Sequence, residues 1–234
     1  MNQVLIITGG SKGIGYATGL HFAHKNWQVI NISRNSASLE NSININLDLA
    51  ESNFEHQLRE KLKPILQQKT TICLVHNAAY HLNDTVMNQK PSQLLKALNV
   101  SIVSPSIINQ ILIPFMQEGS SIIYIGSTLS EKAVPNAASY TTIKHATVGL
   151  MRATCQDLAK KKIHTACICP GFTNTAMLQQ HLGHDLNLIN LAKQKVSFER
   201  FIEPNEIAEL IYFSAINPMI NGSVIHANLG QLET

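Results

Sequence analysis

Short apolar runs alternate with longer amphipathic stretches along the whole chain. Residues 4–7, 28–32, 43–46, 72–76, 122–125, 163–168 and 223–226 read as strands. Several are apolar on consecutive residues, as a parallel sheet covered on both faces requires. Helical patterning occupies 14–25, 52–68, 91–117, 139–160 and 204–216, with Pro105 predicting a kink in the third. This alternation predicts βαβ units and one α/β domain, a doubly wound parallel sheet with helices on both faces. Segment 172–200 has no clear period and is expected to be a loop placed to cover a site.

Composition narrows the possibilities. With 44% hydrophobic and 14% charged residues among 234, the chain is no disordered segment. Its length buries a core of roughly 70–75% of the unfolded surface without disulfides or metal. The low charge points to some surface covered by sister subunits. A net charge of +3, with no basic stripe carrying interleaved aromatics, speaks against a nucleic-acid partner. Cys73, Cys155, Cys167 and Cys169 lie in apolar stretches without metal-ligand spacing and read as reduced core cysteines. The apolar stretch 107–115 is broken by Asn109, Gln110 and Pro114 and is short for a membrane span. The first apolar run meets a glycine motif directly, so no secretory signal is expected. A cytoplasmic protein without a membrane partner is the expectation. His181 and His184 lack a third partner, so no metal site is expected either.

The chemistry begins at Thr8-Gly9-Gly10-Ser11-Lys12-Gly13-Ile14-Gly15, between the first strand and the first helix. Glycines there allow a tight turn and let backbone approach a pyrophosphate resting on the positive end of the helix. In this strand–turn–helix context the motif predicts a dinucleotide site. The end of the second strand selects the nucleotide. An NAD site places a carboxylate there for the ribose hydroxyls, whereas this chain has Ser33-Arg34, with Lys12 nearby in the glycine turn. A guanidinium is suited to the 2′-phosphate, so NADP(H) is the expected cofactor.

Tyr140 and Lys144 stand four residues apart at the start of a long helix, on one face. An ammonium beside a phenol favours the phenolate and makes a proton donor or base. Ser127 follows a strand end thirteen residues earlier, where its hydroxyl can bond the same carbonyl oxygen.

The glycine turn resembles the TGxxxGIG turn of the short-chain dehydrogenase/reductase family. With Asn99, the residues Ser127, Tyr140 and Lys144 resemble that family's catalytic tetrad. The resemblance runs over nearly the whole chain and implies a Rossmann-type fold. It implies that Asp48 contacts adenine, that Asn77 and Ala78 border the cofactor, and that Pro170 and Gly171 flank the nicotinamide. Ala79 stands where the family usually has Gly. Thr173 and Thr175 follow, suited to amide and phosphate contacts, and 203–208 resembles the start of the family's late helix. By this resemblance, hydride passes between the nicotinamide and a carbonyl carbon while Tyr140 moves the proton. Lys144 would hold the nicotinamide ribose, and Asn99 a water that relays protons through Lys144.

Among family members the resemblance is to 3-oxoacyl-carrier-protein reductases and their relatives that reduce other ketones. The substrate is thus a small-molecule carbonyl or alcohol, either an oxoacyl thioester or another small ketone or aldehyde. Its contacts are expected from 128–134 and 172–200. Lys161 is a candidate contact for a docked carrier protein, while Glu118 stands where those reductases tend to be basic. A homodimer or homotetramer is implied. The ending Ile225-His226-Ala227-Asn228-Leu229-Gly230 departs from the family's Val-Asp-Gly-Gly and puts subunit packing there in question. Some proteins of this fold are non-catalytic nucleotide sensors or structural subunits. All four tetrad residues are present here, which favours an enzyme.

Overall fold

The computed structural model describes residues 3–183 and 185–231, except for the side chain of His181; that side chain and His184 lie outside the described residues. Seven strands form one parallel sheet in the order β3-β2-β1-β4-β5-β6-β7. They are β1 (Gln3–Thr8), β2 (Gln28–Ser33), β3 (Ile43–Asn46), β4 (Thr71–His76), β5 (Ser121–Ile125), β6 (His164–Pro170) and β7 (Ser223–Ala227). Each lies within two residues of its predicted bounds. The order reverses between β1 and β4, which opens a crevice at the carboxyl ends of the strands.

Alternate residues of each strand feed two cores. Val4, Ile6, Ile72, Leu74, Ile122 and Tyr124 face α2 (Phe54–Leu62), α4 (Ser104–Leu112) and α5 (Ala138–Asp157). Leu5, Ile7, Cys73, Val75, Ile123 and Ile125 face α1 (Gly13–His24) and α8 (Pro204–Ile216). Both faces are therefore dry, and all four cysteines are buried with free thiols.

The helices depart from the pattern in informative ways. α2 starts two residues late and stops at Leu62; Lys63 still has helical backbone, but Pro64 after it has no N–H to continue the ladder. The expected helix 91–117 is a series: α3 (Pro91–Leu98), a π turn (Asn99–Val103), α4, and a 3₁₀ turn (Ile113–Phe115). The irregularity precedes Pro105 rather than centring on it. Proline has no N–H to give to the preceding turn, and the Ser104 N–H reaches back five residues to the Asn99 carbonyl. This run, Pro91–Phe115, is long and apolar enough by composition to cross a membrane. Its Ile108 and Leu112 nevertheless pack against the sheet, fully buried.

Segment 172–200 is not the irregular loop expected. It holds α6 (Ala176–Leu182) and α7 (Leu186–Gln194), capped by the side chains of Thr175 and Asp185. Lys160, Lys161 and Lys162 lie beyond the end of α5 in a turn, where Lys162 pairs with Glu118 at 2.8 Å. α8 begins as expected, with Pro204 in its first turn and reciprocal capping between Glu203 and Glu206.

Candidate active site

The crevice is a cleft of about 850 Å³ running from the glycine turn to α6 and α7. Lining it are Gly9, Ser11, Lys12, Gly13 and Ile14 from the turn, Ser33 and Arg34 at the end of β2, and Asp48 after β3. Asn77 and Ala78 join them after β4, Ser127 after β5, Tyr140 and Lys144 from α5, and Pro170, Gly171, Thr173 and Thr175 from the end of β6 onward. Residues up to 166 apart in sequence thus share one wall system, because every one lies at or after a strand end or starts a helix.

Two expected residues are not in the cleft wall. Gly15 is buried beneath the turn, where a Cβ would stand 2.3 Å from the Gly9 carbonyl oxygen. Its role is to let helix and turn approach. Asn99 is exposed and starts the π turn, with its carbonyl engaged by Ser104; its neighbour Val100 faces the cleft instead. The wider π turn changes which side of the helix each residue presents.

The end of the cleft at the glycine turn has the donors that a phosphate would need. The N-cap of α1, Lys12, makes no side-chain cap and the first turn holds no carboxylate, so the opening N–H groups are left for a ligand. Asn31, fully buried in β2, accepts the Gly10 N–H at 2.9 Å and donates to Ser33 Oγ at 2.9 Å, which fixes both borders of the pocket. Asn77 spends its amide on the turn, donating to the Thr8 and Gly9 carbonyls at 3.1 and 3.0 Å. It therefore shapes the cradle by tying β4 to β1. Asp48 accepts the Ala50 N–H through one oxygen only. Lys12 and Arg34 are exposed and neither forms an ion pair among the described residues. Arg34 lies 6.0 Å from the centre of the Tyr80 ring, and Lys96 lies 5.5 Å from it. These features fit a nicotinamide dinucleotide: N–H donors at a helix start, cations without an ion pair among the described residues, and a carboxylate oxygen with no hydrogen-bond partner among them.

The reactive half gathers around α5. Lys144 is buried at 4% exposure, with its Nζ 5.5 Å from the Tyr140 ring centre. It donates to the Ile125 carbonyl at 2.8 Å, binding the helix to the end of β5. Ser127 Oγ accepts the Leu129 N–H at 3.2 Å, which leaves its own hydrogen for a ligand oxygen. Just before it, Gly126 has no room for a side chain: a Cβ would lie 2.7 Å from Cys169 Sγ and 2.9 Å from Cys167 Sγ. Those sulfurs are 3.9 Å apart. Cys167 is pushed up chiefly by Cys169 and then by burial, whereas Cys169 is drawn down to about 6, chiefly by its contact with Cys167.

After β6, Thr173 Oγ1 donates to the Gly171 carbonyl at 3.1 Å, and Thr175 caps α6. Thr175 also sits against Gly13, so the first lid helix starts over the glycine turn. His145 is exposed, with Nδ1 2.9 Å from the Thr141 carbonyl, and is not the packing residue its helical position suggests.

Several residues of the site carry no local sequence signal. Asp84, buried after β4, accepts the Ser139 N–H at 2.9 Å and the Ser139 hydroxyl. His81 lines the cleft with its ring centre 4.8 Å from that of Tyr140. Tyr80 and Lys195 line it as well. Only a family signal or the fold itself would have found them.

Comparison with known proteins agrees with this geometry. Residues 9–231 match the family model described as Enoyl-(Acyl carrier protein) reductase. The chain is 27% identical over 232 residues to carbonyl reductase family member 4 from Xenopus laevis, with 96% of each chain covered. It is 26% identical over 234 residues to 3-oxoacyl-[acyl-carrier-protein] reductase from Rattus norvegicus, again with 96% of each covered. A short chain dehydrogenase family protein from Francisella tularensis superposes with a TM-score of 0.87 at 26% identity, covering 98% of each chain. With its parallel sheet, glycine turn and Tyr140–Lys144 helix on one cleft, the chain belongs to the short-chain dehydrogenase/reductase family of oxidoreductases.

Proposed function

We propose that the protein is an NADP(H)-dependent carbonyl reductase or alcohol dehydrogenase acting on a small ketone, aldehyde or oxoacyl thioester. The observation that carries this reading is one cleft with a phosphate cradle at one end and Ser127, Tyr140 and Lys144 at the other. The glycine turn and the start of α1 would hold the diphosphate, and Lys12 and Arg34 the 2′-phosphate. Asp48 would take the adenine, with Ala78 beside it, and Pro170 to Thr175 the nicotinamide end.

When bound, the nicotinamide supplies a hydride to the carbonyl carbon, or accepts one from an alcohol. Ser127 donates its free hydrogen to the carbonyl oxygen and fixes that atom beside the Tyr140 phenol. Tyr140 gives its proton to this oxygen as the bond to carbon becomes single. Lys144, desolvated beside the ring, favours the phenolate left behind. Oriented groups lower the barrier by removing the entropy of assembling them. Asn99 has a supporting place, through the π turn that packs against α5. The relatives' names agree with such substrates. The reading also takes the protein to be a cytoplasmic homodimer or homotetramer, with no nucleic-acid or membrane partner.

The test follows NADPH oxidation with a panel of ketones, aldehydes and a 3-oxoacyl thioester, in parallel with NADH. Turnover is expected with NADPH and a loss of about 10²–10⁴-fold in Tyr140→Phe, with NADPH affinity retained. Unchanged turnover in that variant would remove Tyr140 from the chemistry. Tight NADPH binding with no turnover of any carbonyl would overturn the enzymatic reading.

A further inference from the structure

The substrate half of the cleft has a polarity that the chemistry above does not use. Past Tyr140 its wall includes Leu129, Val134, Met177, Leu182, Leu188 and Leu191, from the loop after β5 and the two lid helices. Val134, Met177, Leu188 and Leu191 are each more than 40% exposed, an apolar surface turned toward the cleft rather than into the core. Among the described residues lining the cleft, the charged side chains are Lys12, Arg34, Asp48, Lys144 and Lys195. The first three belong to the nucleotide end and Lys144 to the proton chemistry. Lys195 stands apart, at the end of α7 among the leucines.

Lys195 is anchored through its backbone, and its side chain is exposed. Its N–H bonds to the Ala192 carbonyl. The next residue, Val196, pairs antiparallel with Gln231, and both Ser197 N–H and Ser197 Oγ donate to the Gly230 carbonyl. No ion pair to Lys195 exists among the described residues. The carboxylate of Asp185, at the other end of α7, is committed to the Asn187 and Leu188 N–H groups. Gln231 also borders the cleft, and its side-chain Oε1 is buried with no hydrogen-bond partner. This end therefore sets a cation with no ion pair among the described residues beside an apolar wall, whereas the Gln231 oxygen, an acceptor, is no partner for an anion.

We propose that the substrate is an amphiphilic anion: a carbonyl compound whose apolar chain lies on α6 and α7 and whose carboxylate or phosphate pairs with Lys195. The inference rests on the reductase reading and narrows its substrate class. A neutral chain would fill the leucine wall but leave the cation without a partner. A small polar carbonyl would satisfy the cation but leave the wall wet. A free oxo-carboxylate and the phosphate of a nucleotide-linked thioester share the required chemistry.

Two matched pairs separate these sources and test the idea. One is a medium-chain oxo-carboxylic acid against its methyl ester. The other is a 3-oxoacyl coenzyme A against the same acyl group on N-acetylcysteamine, which has no phosphate. In at least one pair the charged member is expected to have about three- to fivefold higher kcat/KM, expressed in KM and reduced by 0.5 M salt. The preference should fall below about twofold in Lys195→Met and persist in Lys195→Arg. Equal kcat/KM within both pairs, or a preference that survives Lys195→Met, overturns the proposal. So does a loss of NADPH affinity in Lys195→Met as large as the loss of preference, which would give the cation to the cofactor. Tyr140-dependent turnover of the neutral members without any charge preference overturns this inference alone. Absence of Tyr140-dependent turnover for all four compounds overturns this inference, and the reductase reading falls with it when the wider panel of ketones and aldehydes is also inert.

Discussion

The carboxylate of Asp84 accepts the backbone N–H of Ser139 at 2.9 Å, and through that bond the loop after β4 holds the first turn of the helix carrying Tyr140 and Lys144. The Asp84 carbonyl also accepts the Ala138 N–H, and Gln89 donates to Ser139 Oγ. The N-cap residue of α5, Ala137, cannot cap with its own side chain, so the cap comes from 55 residues away. Asp84→Ala is expected to cost about 1–3 kcal/mol of stability, because it leaves a buried helix start unsatisfied. Asp84→Asn should recover part of that. Urea midpoints of both variants, alongside kcat, check this; an Asp84→Ala midpoint equal to wild type would dismiss the cap.

At the nucleotide end, Arg34→Ala is expected to weaken NADPH binding by about 1–2 kcal/mol, the exposure of the side chain keeping the figure low. NADH should be barely affected. Fluorescence titrations with both nucleotides make the comparison, and equal losses would mean that Arg34 does not read the 2′-phosphate.

Gly126 offers a packing test close to the chemistry. In Gly126→Ala the new methyl would meet Cys169 and Cys167 sulfurs held under the Ser127 turn. A loss of about 1–3 kcal/mol is expected, with a displaced Ser127 and lower kcat. Adding Cys169→Ala removes the nearer sulfur and should restore part of the stability. Additive losses in the double variant would place the clash elsewhere.

The acid limb of stability should carry the signature of His76. Burial lowers its pKa from 6.5 to about 4, despite its hydrogen bond to Asn109 at 2.9 Å. In the unfolded chain it takes up a proton below about pH 6.5, whereas the folded protein resists until about pH 4. Stability therefore falls as pH drops through that window, by up to about 3 kcal/mol from this residue. His164, lowered by burial as well, adds in the same direction. Denaturation at pH 7, 6 and 5 should show a flatter decline in His76→Asn than in wild type.

The sheet and the glycine turn were legible in the sequence because both strand faces are dry, which leaves consecutive apolar residues that no other element produces at that length. The Tyr140–Lys144 pair was legible for a similar reason, since a four-residue helical spacing places both on one side of α5. Ser127, Arg34 and Asp48 followed from their places after strands. The lid helices were hidden: α6 and α7 are short and bury little beyond Leu182 and Ala192, and the apolar spacing Leu188, Leu191, Ala192 in α7 spans little more than one turn. The absence of Asn99 from the cleft depends on the π turn before Pro105, a matter of backbone hydrogen-bond register rather than residue type. The cap from Asp84 to Ser139, the tilted ring contact of His81 with Tyr140 and the placement of Lys195 beside the leucine wall join segments far apart in sequence. Local patterning thus determined the strands, the glycine turn and the Tyr140–Lys144 pair. Which remote side chains close around them was decided by tertiary packing, since no short-range period records a contact made across the sheet.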